Sequence, residues 1–202
     1  MANFENAIAL TGGIATGKSS VCSLLNLYGF QIIDADKVAH QMLSKNVDKI
    51  SDIFGNEYIK EGRVDRKKLG NLIFNDLAYR QKLEKLLHPL IKEEILKQSI
   101  LCESKEIPYI IDIPLFYEKN NYNIDEVIVV YCDKYKQINR LIDREGYDIE
   151  DAQSRIDAQM PIEVKKEKAS FVIDNTKDLK FLQNQVEIFI KYIKNKYPHL
   201  KI

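Results

Sequence analysis

No sign of charge prevails in this chain. Thirty basic and thirty acidic side chains cancel, so no global field draws a polyanion such as nucleic acid to the surface. Apolar runs are short, and none approaches the roughly 18–20 residues that a membrane span needs. Cysteine is scarce: Cys22, Cys102 and Cys132 are odd in number and widely spaced. They show neither metal-ligand spacing nor a disulfide framework, which points to a reducing cytosol and to three small core side chains. The first apolar run begins within seven residues of Met1, leaving no room for a signal peptide. Internal repeats and low-complexity tracts are missing too. What these absences leave is a cytoplasmic protein of one domain, or of one domain with a sizeable insertion. The 202-residue length and the 45% hydrophobic and 30% charged content agree with that.

What is present starts at Gly12-Gly13-Ile14-Ala15-Thr16-Gly17-Lys18-Ser19. The spacing is G-x-x-x-x-G-K-[ST], the phosphate-binding P-loop. An apolar run, Ala7 to Leu10, precedes it, and a helical pattern (Val21, Leu24, Leu25, Leu27) follows, which is the setting the motif requires. The glycines let the backbone curl around an anion so that several N–H groups converge on it. The positive end of the following helix faces the same point. Lys18 supplies a cation for the terminal phosphates, and the Ser19 hydroxyl is placed to ligate Mg²⁺. A nucleoside triphosphate is therefore the expected ligand, held by Gly13, Ile14, Ala15, Thr16, Gly17, Lys18, Ser19 and Ser20.

Further strands are expected at Phe30–Ile33, Tyr109–Ile113, Val127–Tyr131 and Phe171–Ile173. They are continuous apolar runs rich in β-branched residues, which suits parallel strands covered on both faces. Helical patterns alternate with them, predicting an open α/β fold with a parallel five-stranded sheet between helical layers. Ligands bind such sheets beyond the carboxyl ends of the strands, where Asp34, Asp112 and Asn175 stand. Some seventy residues separate strands two and three, too many for one crossover. Helical patterns at Val38–Leu43, Val47–Phe54, Leu69–Phe74 and Leu77–Cys102 predict a helical insertion that holds a second substrate. Asp65 reads as a helix cap, and Pro89 is expected to kink or restart its helix. An amphipathic helix from Leu179 to about Tyr197 closes the chain.

Several side chains invite a chemical reading, each beside a plainer one. Asp34 is a candidate to receive the proton of an acceptor hydroxyl, or is a turn residue or a partner of the metal. Asp36 begins the next helix, and capping alone accounts for it. Ile110-Ile111-Asp112 resembles a Walker-B ending, delivering a carboxylate to the metal. It does not continue into D-x-x-G, and N-K-x-D is absent from the chain, so a GTPase is not expected. Lys136, Arg140 and Arg144 recur every four residues and form one cationic stripe, suited to a lid over a transferring phosphate or to a solvated face. Arg155 and Gln159 follow in what reads as the second half of that lid. Lys165, Lys166 and Lys168, interspersed with Glu163 and Glu167, read as solvated. His88 carries no sign of a metal cluster.

Taken together, these residues resemble bacterial dephospho-CoA kinase along nearly the whole chain. The likeness rests on Leu10-Thr11-Gly12-Gly13-Ile14 with the P-loop, Ile32 to Asp36, Phe54-Gly55, Asp65-Arg66 and His88-Pro89. It continues through Asp112-Ile113-Pro114-Leu115 with Glu118, Gln137 through Arg140 to Arg144, Arg155 with Ala158-Gln159, and Ile173-Asp174-Asn175. The resemblance implies Mg²⁺-dependent transfer from ATP to the ribose 3′-hydroxyl of dephospho-CoA. It implies a nucleotide core over about 1–36, 106–133 and 170–202, a CoA-binding insertion over about 37–105 and a lid over about 134–169. It further implies Asp34 as base, Lys18, Arg140 and Arg144 on phosphoryl charge, and Asn175 near the adenine. Asp34, Asp36, His40, Arg66 and His88 fall on the acceptor side, and Ser19 and Asp112 on the metal. Two departures stand out: Ala15 where glycine is common, and His40 where arginine is usual. The chain leaves open another small acceptor such as a nucleoside monophosphate, a nucleotide-sensing binding role, and the oligomeric state.

Overall fold

Six consecutive buried residues, Ala7–Gly12 (β1), form the middle strand of the sheet. The computed structural model describes residues 4–119 and 122–199. The outermost residues of the expected core, 1–3 and 200–202, lie outside them. Strand order is β2 (Gln31–Asp34), β5 (Tyr109–Asp112), β1, β6 (Glu126–Tyr131), β7 (Phe171–Asp174), and the sheet is parallel. Ala9 is in register with Ile111 on one side and Val127 on the other, so β1 is enclosed by apolar strands on both edges. Its carboxyl end is therefore held where the glycine-rich loop begins.

The chain divides into two compact units, residues 1–33 with 99–202, and residues 34–98. In the first, α1 (Lys18–Leu27) buries Val21 and Leu25, one turn apart on a single face. The closing helix α10 (Leu179–Lys196) buries Leu182, Val186, Phe189, Ile190 and Ile193. They join Ile8, Leu10, Phe30, Ile110, Ile128, Val130 and Ile173 in one core. Each large apolar side chain so buried contributes about 1.5–3 kcal/mol, which anchors the helix that follows the loop. The unit also holds α6 (Phe116–Lys119), α7 (Lys134–Glu145), α8 (Ile149–Asp157) and α9 (Ile162–Lys168). Asp133, Asp148 and Asp178 cap α7, α8 and α10 by accepting backbone N–H bonds. The short α6 has no counterpart in the sequence reading.

In the second unit, α2 (Ala35–Lys45) and α3 (Val47–Phe54) are followed by a 3-10 turn, Asn56–Tyr58, and by a hairpin of β3 (Ile59–Lys60) and β4 (Arg63–Val64). Glu61 and Gly62 both have positive φ, 53° and 71°, the tight hairpin turn whose twist matches the strands. Strands of two residues give no readable alternation, and the hairpin is not apparent in the sequence. Asp65 caps α4 (Arg66–Asn75) as expected, accepting from the Lys68 N–H at 3.0 Å. The cap of α2 is Asp34 rather than Asp36: Asp34 accepts from the Lys37 N–H at 2.9 Å, and Asp36 lies in the first turn. Pro89 does not restart its helix, because α5 runs unbroken from Leu77 to Glu103. A proline there costs about 3 kcal/mol. Burial of Leu83, Leu87 and Ile95 along one face offsets it.

Candidate active site

The loop between β1 and α1 is shaped by what happens to its carbonyl groups. The Gly12 carbonyl accepts from the Lys165 ammonium at 3.0 Å, and the Gly13 carbonyl from the buried Thr16 hydroxyl at 2.9 Å. Gln137 Nε2 donates to the Ile14 carbonyl at 2.6 Å. Arg140 Nη1 donates to the carbonyls of Ala15 and Thr16, both at 3.2 Å, and Asn175 Nδ2 donates to Thr16 at 2.7 Å. Five successive carbonyls are thus satisfied by side chains. With the oxygens held there, the peptide planes are fixed, as an anion-binding nest of N–H groups requires. Ala15 sits at φ 59° and Gly17 at φ 93°. A Cβ on Gly17 would stand 2.1 Å from Asn175 Nδ2, so both space and conformation demand glycine.

The loop lines a cavity of about 790 Å³, shared with Pro114, Arg140, Asp143, Arg144, Gln159, Asn175, Lys177 and Leu179. Residues 13–20 and Asn175 are all among the lining, so the sequence-derived nucleotide set comes together. Lys18 starts α1, whose N-terminus has no side-chain cap. Its ammonium is ion-paired with Asp112, the end of β5. Ser19 follows in the same first turn. A serine hydroxyl and a carboxylate are hard oxygen donors that suit Mg²⁺. Among the described residues no cluster of three or more His, Cys, Asp or Glu side chains is placed to hold a metal.

The cationic stripe of α7 divides by function. Lys136 donates to the Thr176 carbonyl. Arg140 spends its guanidinium on Ala15, Thr16 and, at 3.0 Å, the Asn175 carbonyl. Arg144 is exposed, pairs with Glu145 at 2.7 Å and lines the cavity. Gln159, just beyond α8, accepts the Ile14 N–H at 2.8 Å. Arg155 lies over the Tyr147 ring, 4.2 Å from its centroid.

Lys165 corrects the reading of a solvated cluster: Lys166 and Lys168 are exposed, but Lys165 is fully buried. Helix spacing does not single it out: Lys165 and Lys166, three and four residues after buried Ile162, both fall on its side of the helix. Gln137, only 1% exposed, carried no signal of burial either, because its role depends on the Ile14 carbonyl, 123 residues away.

The residues expected on the acceptor side lie in the second unit. His40 and Arg66 line one cleft with Lys60, Lys67, Val64, Glu61 and Asp65, a mainly cationic grouping. Asp34 ends β2 and caps α2, while Asp36 and His88 are exposed on α2 and α5. His88 is not among the cleft residues. No helix among the described residues is long and apolar enough to cross a membrane.

The family model for dephospho-CoA kinase matches residues 6–180. The chain is 49% identical over 198 residues to the dephospho-CoA kinase of Sulfurimonas denitrificans, covering 98% of this chain and 99% of that one. Among solved structures it is similar to dephospho-CoA kinase from Campylobacter jejuni, with 34% identity and a TM-score of 0.70 over 94% of this chain and 98% of that one. It is also similar to TT1252 from Thermus thermophilus, with 28% identity and a TM-score of 0.79 over 93% and 97%.

Proposed function

We propose that this chain, which belongs to the dephospho-CoA kinase family, transfers the γ-phosphoryl group of ATP to the ribose 3′-hydroxyl of dephospho-CoA. The products are coenzyme A and ADP, the last step of coenzyme A synthesis. The observation that carries this reading is a loop whose carbonyls are all bonded and whose helix begins with Lys18, in a chain that matches the family over nearly its full length.

Phosphoryl transfer passes through a loose transition state, so positioning and charge stabilisation supply most of the catalysis. The loop over residues 13–20 and the N-terminus of α1 bind the phosphates through amides other than those of Ile14 and Thr16, which Gln159 and the Gly13 carbonyl hold. Lys18 exchanges Asp112 for a phosphate oxygen, and its charge then lies on the transferring group. Arg140 keeps the loop in shape through Ala15 and Thr16, and exposed Arg144 adds a guanidinium from the cavity wall. Asn175 borders the nucleotide. Ser19 and the Asp112 carboxylate would hold Mg²⁺, which neutralises charge on the β- and γ-phosphate oxygens when bound. Asp34 accepts the proton of the 3′-hydroxyl. His40 and Arg66 offer cationic contacts to the anionic acceptor, with Asp36 and His88 on the same side of the reaction. The scarce, widely spaced cysteines, two of them buried, support a reducing cytoplasm.

The test is transfer from Mg·ATP to dephospho-CoA, with the product identified by mass spectrometry beside adenosine, AMP, dCMP and no-acceptor arms. A single 3′-phosphate on dephospho-CoA supports the reading. Transfer to AMP or dCMP but not to dephospho-CoA overturns the acceptor and keeps the kinase.

A further inference from the structure

We infer that Lys165 is a positioning residue for nucleotide binding, acting through the backbone at the start of the P-loop and at the exit of β5. Its ammonium has three acceptors, one for each proton: the Gly12 carbonyl at 3.0 Å, the Pro114 carbonyl at 3.3 Å and Glu118 Oε1 at 2.8 Å. The side chain is 0% exposed. Gly12 is the last residue of β1, and Pro114 stands two residues beyond Asp112. One charge therefore ties the end of β1, from which the loop leads to Lys18, to the chain just beyond β5, whose last residue is its partner Asp112. The Thr11 hydroxyl adds a second tie, donating to the same Pro114 carbonyl at 2.9 Å.

Stability alone does not account for this arrangement. A buried ion pair is often no better for stability than well-packed apolar residues of the same volume. Here the pair is also imperfect, because Glu118 Oε2 is buried with no hydrogen-bond partner among the described residues. What an apolar side chain cannot do is hold two carbonyl oxygens in fixed directions. Gly12 has no room for a side chain of its own, since a Cβ would meet the Thr16 hydroxyl at 2.7 Å and the Val130 carbonyl at 2.9 Å. Its peptide orientation thus depends on the partner of its carbonyl. Without the ammonium, the Gly12 peptide can turn and the spacing between the loop and Asp112 relaxes. The loop then loses the preorganisation that anion binding uses.

The inference rests on the reading of the loop as a nucleotide site but not on the identity of the acceptor. Its test is therefore ADP binding by titration calorimetry on Lys165→Met, Glu118→Gln and Glu126→Gln, at a temperature where circular dichroism shows each to be folded. Glu126 is the control: it is 2% exposed and paired with Lys196 and Tyr192 at the amino end of β6. Lys165→Met is expected to weaken ADP at least about tenfold, Glu118→Gln at least about threefold, and Glu126→Gln by less than about twofold, tenfold being 1.4 kcal/mol. In turnover assays the KM for ATP rises in the first two while the KM for dephospho-CoA stays level. Melting temperatures that fall equally in all three variants, with ADP affinity unchanged, overturn the inference and leave Lys165 a structural residue. Should Lys165→Met fail to fold, unchanged ADP affinity in Glu118→Gln overturns it alone. A wild-type protein that binds ADP but does not phosphorylate dephospho-CoA refutes the acceptor and leaves this test standing.

Discussion

Lys18, the first residue of α1, is ion-paired with Asp112, the last residue of β5. The cation assigned to the phosphates is thus shared with the carboxylate assigned to the metal. On the proposed reading, nucleotide binding would free Lys18 for a phosphate oxygen and leave the Asp112 carboxylate to hold Mg²⁺. Lys18→Met should lower kcat by about 10²–10³, the usual effect of removing one group that meets transition-state charge. Asp112→Asn should leave metal-free ADP binding as tight as wild type or tighter, since Lys18 loses a competing anion. It should also raise the Mg²⁺ concentration needed for half-maximal rate. Calorimetry without metal and a Mg²⁺ titration of the rate check the two halves.

Asp34 has a structural duty that must be separated from any chemical one. It caps α2 through the Lys37 N–H, and asparagine caps as well as aspartate. Asp34→Asn should therefore unfold at the same urea concentration as wild type while its kcat falls by about 10²-fold or more, the range of a general base. Asp34→Ala should lose both activity and about 1 kcal/mol of stability. An Asp34→Asn enzyme with full turnover would reduce Asp34 to a cap.

Ala15 adopts φ 59°, a left-handed conformation that costs a residue with a Cβ about 1–2 kcal/mol. Ala15→Gly removes that strain but adds about 0.4–1 kcal/mol of unfolded-state entropy. The net expectation is a stabilisation of about 0.5–1 kcal/mol, read from urea unfolding of the nucleotide-free protein. A loss of stability would mean that the loop carries no strain at this position.

The Tyr131 hydroxyl donates to Glu163 at 2.7 Å. That bond, with a smaller contribution from burial, pushes the phenol up to about 12. The unfolded phenol ionises near pH 10, so between these values the folded state retains a proton that the unfolded state has lost. The stabilisation is complete below about pH 10 and disappears as pH rises to about 12. Glu163→Ala should flatten the fall in stability across that window, measured by denaturant unfolding at stepped pH. Tyr131 is partly exposed, so solvent screening keeps the effect small.

The parts of this protein legible in the sequence are those governed by local rules. β1, the loop and α1 follow from an apolar run, a glycine spacing and a helical period. The Asp65 cap is likewise visible three residues from the N–H it accepts. Less legible are the places where a local rule meets a distant partner. Lysine in a charged helix reads as solvated, yet Lys165 is drawn inside by the Gly12 carbonyl, 153 positions away. Arg140 reads as one third of a cationic stripe, but the carbonyls of Ala15 and Thr16 claim it. Asp36 and Asp34 offer equal capping chemistry, and only the turn of the chain after β2 decides between them.

By itself the sequence determined the alternating parallel fold, the phosphate loop and the family, because these depend on residue order and periodicity. Tertiary structure decided how the loop is held. Its five carbonyls are satisfied by side chains from α7, from α9, from Asn175 after β7 and from the loop's own Thr16. The physical reason is that a buried carbonyl must find a donor, and which donor lies within 3 Å or so is set by packing, not by spacing along the chain.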